Sequence, residues 1–254
     1  MLDSVIECAR GAGQTALQYF RHEGGIKVEN KLNDSDIVTI ADKASEAYIK
    51  KYVAHHFPTH GILSEESTES IGSEDYRWVV DPVDGTTNFF AGIPFWAVSI
   101  GIEHHGKREI GVVYVPALDE MFYAQRGHGA YLNGRRIHVS DEQNLSRSVI
   151  ATGFPVDKDV SPDNNMDNLA VVLPKVRDIR RLGSAATDMC YVAAGFMQGY
   201  WELKLHEWDV NAATLILEEA GGTLTRFREW NGVEGICIVC GNRSIHDKLL
   251  SLIR

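Results

Sequence analysis

Two carboxylates, Asp81 and Asp84, stand at the end of the apolar run Trp78-Val79-Val80, with Pro82 between them and Gly85-Thr86-Thr87-Asn88-Phe89 behind. Three consecutive apolar residues read as a strand covered on both faces, so Asp81 emerges at its carboxyl end, where α/β sheets place ligands. Pro82 fixes the backbone there. The spacing lets both carboxylates reach one small volume, where two ionised groups repel unless one keeps its proton or a cation neutralises both. Gly85 permits close backbone approach, the amides of Gly85 and Thr86 suit a phosphate oxygen, and the Thr86 hydroxyl can position a water. Alone, Asp-Pro and Asp-Gly are turn dipeptides. Together with the strand they point to a cation that handles an anion.

Acidic residues stand at element ends in two further places: Glu65-Glu66 after the short strand 62–63, and Asp209 at the start of a helix after His206-Glu207-Trp208. Hard oxygen donors without neighbouring cysteines or paired histidines favour Mg²⁺ or Mn²⁺ over zinc. Glu66, Glu69, Glu74 and Asp75 read as solvated surface charges. His55, His56 and His60 surround the helix-breaking Pro58, and His104-His105 sit in a charged hairpin turn, so all five read as surface residues. Cys190 has no base partner to make it a nucleophile. Cys237 and Cys240 form a lone C-x-x-C in an apolar strand, where residues three apart face opposite ways; buried reduced thiols are the expectation.

The elements that must position these groups follow from periodicity. With 254 residues, 44% of them apolar, the chain has enough material for a sizeable core. Its net charge of −10 argues against a nucleic-acid or anionic-membrane footprint. Asp3, Glu7 and Arg10 interrupt any signal-peptide core and no apolar run is long enough to span a bilayer, so a cytoplasmic protein is expected. Helical spacing predicts a first helix ending before Gly24-Gly25 and a second over 42–55. Strands follow at 62–63, 78–80, 96–102, 110–115 and 121–124, with a hairpin about Asn133-Gly134. After the polar stretch 141–147 strands and helices alternate: strands at 149–152, 199–203, 223–227 and 236–239, helices at 165–173, 184–194 and 209–220, and a last helix opened by Ser244-Ile245-His246-Asp247 as a capping box. One unit of two packed halves, an N-terminal α+β half over 1–145 and a C-terminal α/β half over 146–254, is the economical reading.

The stretch Asp81-Pro82-Val83-Asp84-Gly85-Thr86-Thr87-Asn88-Phe89, with Trp208-Asp209-Val210-Asn211-Ala212-Ala213 and Glu219-Ala220-Gly221-Gly222, resembles the two signatures of the inositol monophosphatase family. Glu65-Glu66-Ser67, Asp36-Ile37-Val38-Thr39 followed by Asp42, and Gly183-Ser184-Ala185-Ala186 also match in order, so the resemblance spans nearly the whole chain. It implies a single catalytic domain with the layered αβαβα sandwich of the inositol monophosphatase and fructose-1,6-bisphosphatase type, cytoplasmic and homodimeric. It implies a Mg²⁺-dependent phosphomonoesterase with two or three ions, Mn²⁺ being a substitute. Glu65, Asp81 and the Val83 carbonyl would hold the first ion, and Asp81, Asp84 and Asp209 the second. Thr86, hydrogen-bonded to Asp36, would orient and deprotonate the attacking water, with Glu65 also catalytic. The amides of Gly85 and Thr86 would hold the phosphate. Asp84, Gly183, Ser184, Ala185, Glu202 and Asp209 would meet the substrate, while Lys31 and Asp42 would lie near a third ion.

Departures bear on the substrate. Ser64 replaces the glycine that often precedes the acidic pair, and Gly153-Phe154-Pro155 leaves no serine to contact inositol. A small-molecule phosphate ester is the expected partner, myo-inositol 1-phosphate first. Histidinol phosphate, fructose 1,6-bisphosphate and 3'-phosphoadenosine 5'-phosphate are the alternatives. From another class, the chain resembles bacterial relatives that act as RNA-polymerase-associated factors with secondary hydrolysis. Arg180-Arg181 reads as a solvated basic pair, ahead of a dimer contact or a grip on a second phosphate.

Overall fold

The apolar stripe of the first segment forms α1 (Leu2–Leu17), which buries Val5, Cys8, Ala9, Ala12 and Ala16. The computed structural model describes residues 1–22, 28–30, 37–67, 73–229 and 235–253. After α1 come β1 (Val28–Asn30), β2 (Ile37–Thr39), α2 (Ile40–His56), β3 (His60–Ser64), β4 (Ser73–Asp84) and the short α3 (Thr86–Phe90). The consecutive strands are β5 (Ala97–His104), β6 (Lys107–Val115), β7 (Glu120–Gln125), β8 (Ala130–Leu132) and β9 (Arg135–Ile137). Beyond a 3-10 turn at Leu145–Arg147, the chain runs through β10 (Val149–Thr152), α4 (Met166–Val172), β11 (Asp178–Arg180) and α5 (Ala185–Ala193). It closes with β12 (Gly199–Leu205), α6 (Glu207–Glu219), β13 (Thr223–Glu229), β14 (Ile236–Gly241) and α7 (Arg243–Leu250).

Strands β3 to β9 form a seven-stranded sheet in sequence order, antiparallel except for the parallel pair β3 and β4. A second, five-stranded sheet has the order β11-β10-β12-β14-β13, with β10 parallel to both neighbours. Helices α1 and α2 cover the outer face of the first sheet, where Val5, Ile49, Trp78, Val80 and Ile100 share one apolar cluster. Between the sheets lie α5 and α6, joining Met189, Val192, Leu215 and Ile216 to Val113, Phe122 and Ile238. On the far side α4 and α7 bury Val172, Ile245 and Leu249 against Ile150, Trp201 and Val239. The layers therefore run α, β, α, β, α, as expected, and the two helices of the middle layer touch both sheets.

Two features of this stack place the chemistry. Trp78, Val79 and Val80 are each fully buried because β4 is an inner strand covered on both faces, so the chain becomes polar only where it leaves the layers, at Asp81 and Asp84. Gly101 on β5 sits opposite Gly111 on β6, and a Cβ at either would come within 2.1 Å of Asn211 Oδ1 or 2.3 Å of the Ala212 carbonyl. The paired glycines thus cut a groove into which α6 sinks. A glycine inside a strand pattern signals such close backbone approach.

Several sequence expectations need adjusting. Strand β4 reaches back to Ser73, whereas α1 ends at Leu17, before Gly24-Gly25 as expected. Helix α6 starts at Glu207, two residues early, which puts Asp209 inside its first turn. The cap of α7 is Asn242, whose side chain accepts from Ile245 N–H at 3.0 Å, instead of Ser244. His60 is half-buried and its Nδ1 accepts from Trp78 Nε1 at 3.1 Å, so it belongs to the packing and not to the surface. All four cysteines are buried free thiols. No helix among the described residues is long and apolar enough to cross a membrane.

Candidate active site

At the end of β4 the chain must turn sharply, and Gly85 does so at φ 92°, a conformation that only glycine adopts without strain. A Cβ there would stand 2.9 Å from the Gly183 carbonyl. The turn therefore presses against the segment that starts α5, and Asp84 is captured by it. Ser184 Oγ donates to Asp84 Oδ2 at 2.6 Å, Ala186 N–H donates to the same oxygen at 2.7 Å, and Ala185 N–H donates to Oδ1 at 3.3 Å. An anion at a helix N-terminus is stabilised by those donors and by the helix dipole. Even so, burial lifts the Asp84 carboxyl to about 6, outweighing these hydrogen bonds, with Glu65 pushing the same way. Asn88 ties the same junction: its Nδ2 donates to the carbonyls of Phe95 at 2.6 Å and Leu182 at 2.5 Å.

Asp81 is buried, and its Oδ1 accepts from Val83 N–H at 3.0 Å. Burial pushes its carboxyl well above the usual carboxylate range, and Glu65, Asp84 and Asp209 add to the rise. Asp209 rises for the same reasons, burial first and then Glu65 and Asp84, although His206 N–H donates to its Oδ2 at 2.6 Å. Glu65 follows β3, where its amide is held by the Val80 carbonyl at 3.2 Å, one strand over from Asp81. Glu65 just past β3, Asp84 at the end of β4 and Asp209 in α6 thus all lie close enough to act on the Asp81 carboxyl.

Among the described residues no three His, Cys, Asp or Glu side chains are already drawn together as a finished ligand set. The donor chemistry nonetheless fits hard divalent ions. Acidic oxygens dominate the space, where the charges of Glu65, Asp84 and Asp209 bear on Asp81, and Arg181 reaches the wall of the adjoining pocket. Glu65, Asp81, Asp84, Asp209 and the Val83 carbonyl would supply the ligands.

Among the described residues Thr86 finds its side-chain partner in Asp42. Thr86 Oγ1 lies 3.0 Å from Asp42 Oδ1 and 3.1 Å from the Val83 carbonyl, so its hydroxyl proton has acceptors in both. Asp36, expected in that role, falls outside the described residues, as does Lys31. Asp42 is fully buried at the start of α2, where its Oδ2 accepts from Thr39 N–H at 2.9 Å in a capping box. Burial raises its carboxyl, the Thr39 contacts oppose that, and Glu65 adds to it. Ser45, one turn on, donates to the Pro82 carbonyl at 2.9 Å and fixes α2 against the turn that carries the acids.

Beside Asp84 and Asp209 opens a pocket of about 130 Å³, lined also by Gly153, Arg181, Gly183, Ala185, Asp188 and Glu202. Glu202 on β12 is raised to about 7, chiefly by burial, against the pull of the Tyr200 hydroxyl and Arg181. Gly153 makes room for it, since a Cβ there would lie 2.0 Å from Glu202 Oε1. Arg181 is exposed, as read from the sequence, and its charge also reaches Glu202 at the edge of this pocket, whereas Arg180 pairs with Asp178 at 2.6 Å on the surface. Asp188 went unread in the sequence. It is buried on α5, its Oδ1 has no hydrogen-bond partner, and burial with Glu202 and Asp84 holds its carboxyl well above the usual range. Its signal was an acid within the otherwise apolar helical stretch Met189-Cys190-Tyr191-Val192.

The sequence matches the model of the inositol monophosphatase family over residues 1–254. The inositol-1-monophosphatase of Rhizobium meliloti (strain 1021) is 39% identical over 257 residues, spanning 100% of this chain and 96% of that protein. Nus factor SuhB of Salmonella typhimurium (strain LT2) is 38% identical over 256 residues, with the same coverage of 100% and 96%. A solved structure of inositol monophosphatase from Anabaena (Nostoc) sp. PCC 7120 shares 40% identity and superposes with a TM-score of 0.86, covering 99% of this chain and 94% of the other.

Proposed function

Because this chain belongs to the inositol monophosphatase family, we propose that it hydrolyses phosphate monoesters of polyols or sugars, myo-inositol 1-phosphate foremost. The observation that carries the reading is the raised proton affinity of buried Asp81, Asp84 and Asp209, to which Glu65 adds in each case, with Asp84 and Asp209 lining a small pocket.

Divalent ions, Mg²⁺ or Mn²⁺, would neutralise the acids, activate a water and stabilise the departing oxygen of the ester. The chain's own residues do the rest. Glu65 and Thr86 hold the attacking water, and Thr86 Oγ1 can pass a proton to Asp42 Oδ1, 3.0 Å away. The amides of Gly85 and Thr86 receive the phosphate. Substrate hydroxyls meet Asp84, the Ala185 amide and Glu202, with Gly183 and Ser184 shaping that wall. Burial of Asp81 and Asp84 excludes bulk water from the reacting bond.

The test is phosphate release from myo-inositol 1-phosphate, histidinol phosphate, fructose 1,6-bisphosphate and 3'-phosphoadenosine 5'-phosphate, each with and without Mg²⁺. Release that needs Mg²⁺ and is fastest with the inositol ester supports the proposal. Equal release in a chelator overturns the metal role, and preference for another ester reassigns the substrate.

A second reading draws on the 38% identity to Nus factor SuhB: a transcription-associated binding protein with secondary hydrolysis. Asp84→Asn separates the two, since it removes phosphate release and leaves partner binding intact. Homodimerisation, which the family resemblance suggested, is checked by sedimentation equilibrium.

A further inference from the structure

Far along β4 from the acids, a cavity of about 820 Å³ is lined by Arg77, Lys107, Arg108, Arg126 and Arg226. Glu103 and Glu207 share its wall. In a chain with a net charge of −10, five cations converging from β4, β6, β13 and the turn after β7 on one concavity are a departure from the general field.

The two carboxylates are already committed. Glu103 Oε2 accepts from Arg77 at 2.7 Å and its Oε1 accepts from Asn211 at 2.7 Å. Glu207 accepts from Arg226 at 2.8 Å and Arg108 at 3.4 Å, and also from Asn211 at 3.2 Å. Arg126 Nε donates to the Arg108 carbonyl at 2.6 Å and lies 3.8 Å from Glu109 Oε1. Arg108 Nε is buried without a hydrogen-bond partner. Glu103 and Glu207 offset part of this charge, and five cations against two carboxylates on the wall leave an excess of positive charge for an anion to meet.

We infer that this cavity is a binding site for a small anion carrying two or more phosphate groups. Guanidinium forks match pairs of phosphate oxygens, and the volume exceeds what a single phosphate fills. Its concavity selects a compact ligand, and the Lys107 ammonium, exposed at the mouth beside Gly106, supplies the outer point charge. The site is independent of the acidic pocket, whose charges repel the same ligand when no metal is bound.

The experiment is calorimetric titration of the full chain in metal-free buffer containing a chelator, with tripolyphosphate as the probe. One saturable event per chain is expected, weakening steeply with added salt. Lys107→Glu, at an exposed hairpin position that leaves the fold alone, should weaken it by about tenfold or more. Arg108→Gln should do the same, with circular dichroism confirming its fold. Adenosine triphosphate forms the second arm: equal affinity places recognition in the phosphates alone, and a tighter hold identifies a nucleotide as their source. Absence of saturable binding, or affinity unchanged in Lys107→Glu, overturns the inference.

Discussion

Ser184 donates its hydroxyl to Asp84 across 2.6 Å, so the last carboxylate of β4 is held by the first turn of a helix far along the chain. The same Oγ accepts from Thr187 N–H at 3.3 Å and caps α5. One side chain thus fixes a helix start and a metal-ligand candidate together. Ser184→Ala should lower stability by about 1–2 kcal/mol through loss of the cap and of a hydrogen bond to a charged group. It should also raise the Mg²⁺ concentration needed for half-maximal phosphate release several-fold, with a smaller change in kcat. Urea unfolding and a Mg²⁺ titration of turnover check both parts.

The facing glycines Gly101 and Gly111 separate packing from positioning. A methyl at Gly101 meets the movable Asn211 side chain, whereas one at Gly111 meets the Ala212 backbone, which only a shift of α6 can relieve. Both alanine variants should lose about 1–3 kcal/mol of stability. Gly111→Ala alone should also lose turnover markedly, because α6 carries Asp209. Equal turnover in the two variants would contradict the link between that groove and the site.

Stability against pH follows from the raised acids. Asp84 moves from 3.8 to about 6 on folding, so the folded state binds the proton more tightly than the unfolded one. Stability from this group is full below pH 4 and is lost as pH rises through about 6, an effect on the order of 3 kcal/mol, with Asp81 and Asp209 acting in the same direction. Metal-free protein should therefore melt at a lower temperature at pH 7.5 than at pH 5.5 by this contribution. Mg²⁺ should raise the melting temperature more at pH 7.5, where it need not displace protons. Differential scanning calorimetry at both pH values, with and without Mg²⁺, measures it. A Mg²⁺ effect larger at pH 5.5 would contradict the assignment.

Thr86 and Asp42 form the second testable pair. Thr86→Val removes the hydroxyl with little change in volume and should cut kcat by about 10²-fold or more with KM little changed. Asp42→Asn should also lower kcat strongly, while Asp36→Asn should have the smaller effect. Steady-state kinetics on the three variants decides which aspartate serves Thr86.

That pair shows where sequence reasoning stopped short. The order of strands and helices and the layered fold were legible, because their periods and turn residues lie in neighbouring positions, and the buried strand ending in Asp81 and Asp84 was legible with them. The resemblance named Asp36 as the partner of Thr86, a residue outside the described ones; the bond from Thr86 to Asp42 depends on the α2 capping box burying Asp42 against the turn, which local spacing does not show. Asp188 was missed because its relation to Glu202 is made by packing α5 against β12, which no run of neighbours encodes. The basic cavity escaped for the same reason: its five cations are scattered over β4, β6, β13 and the turn after β7.

The central claim, that acids from β3, β4 and α6 hold divalent ions which cleave a phosphate ester, is tested most directly by phosphate release from myo-inositol 1-phosphate as Mg²⁺ is titrated into wild type, Glu65→Gln and Asp209→Asn. Wild type should be silent in chelator and saturate with Mg²⁺, and each variant, folded by circular dichroism, should fall by at least about 10²-fold. Near-normal turnover in either variant, or undiminished release in chelator, would contradict it.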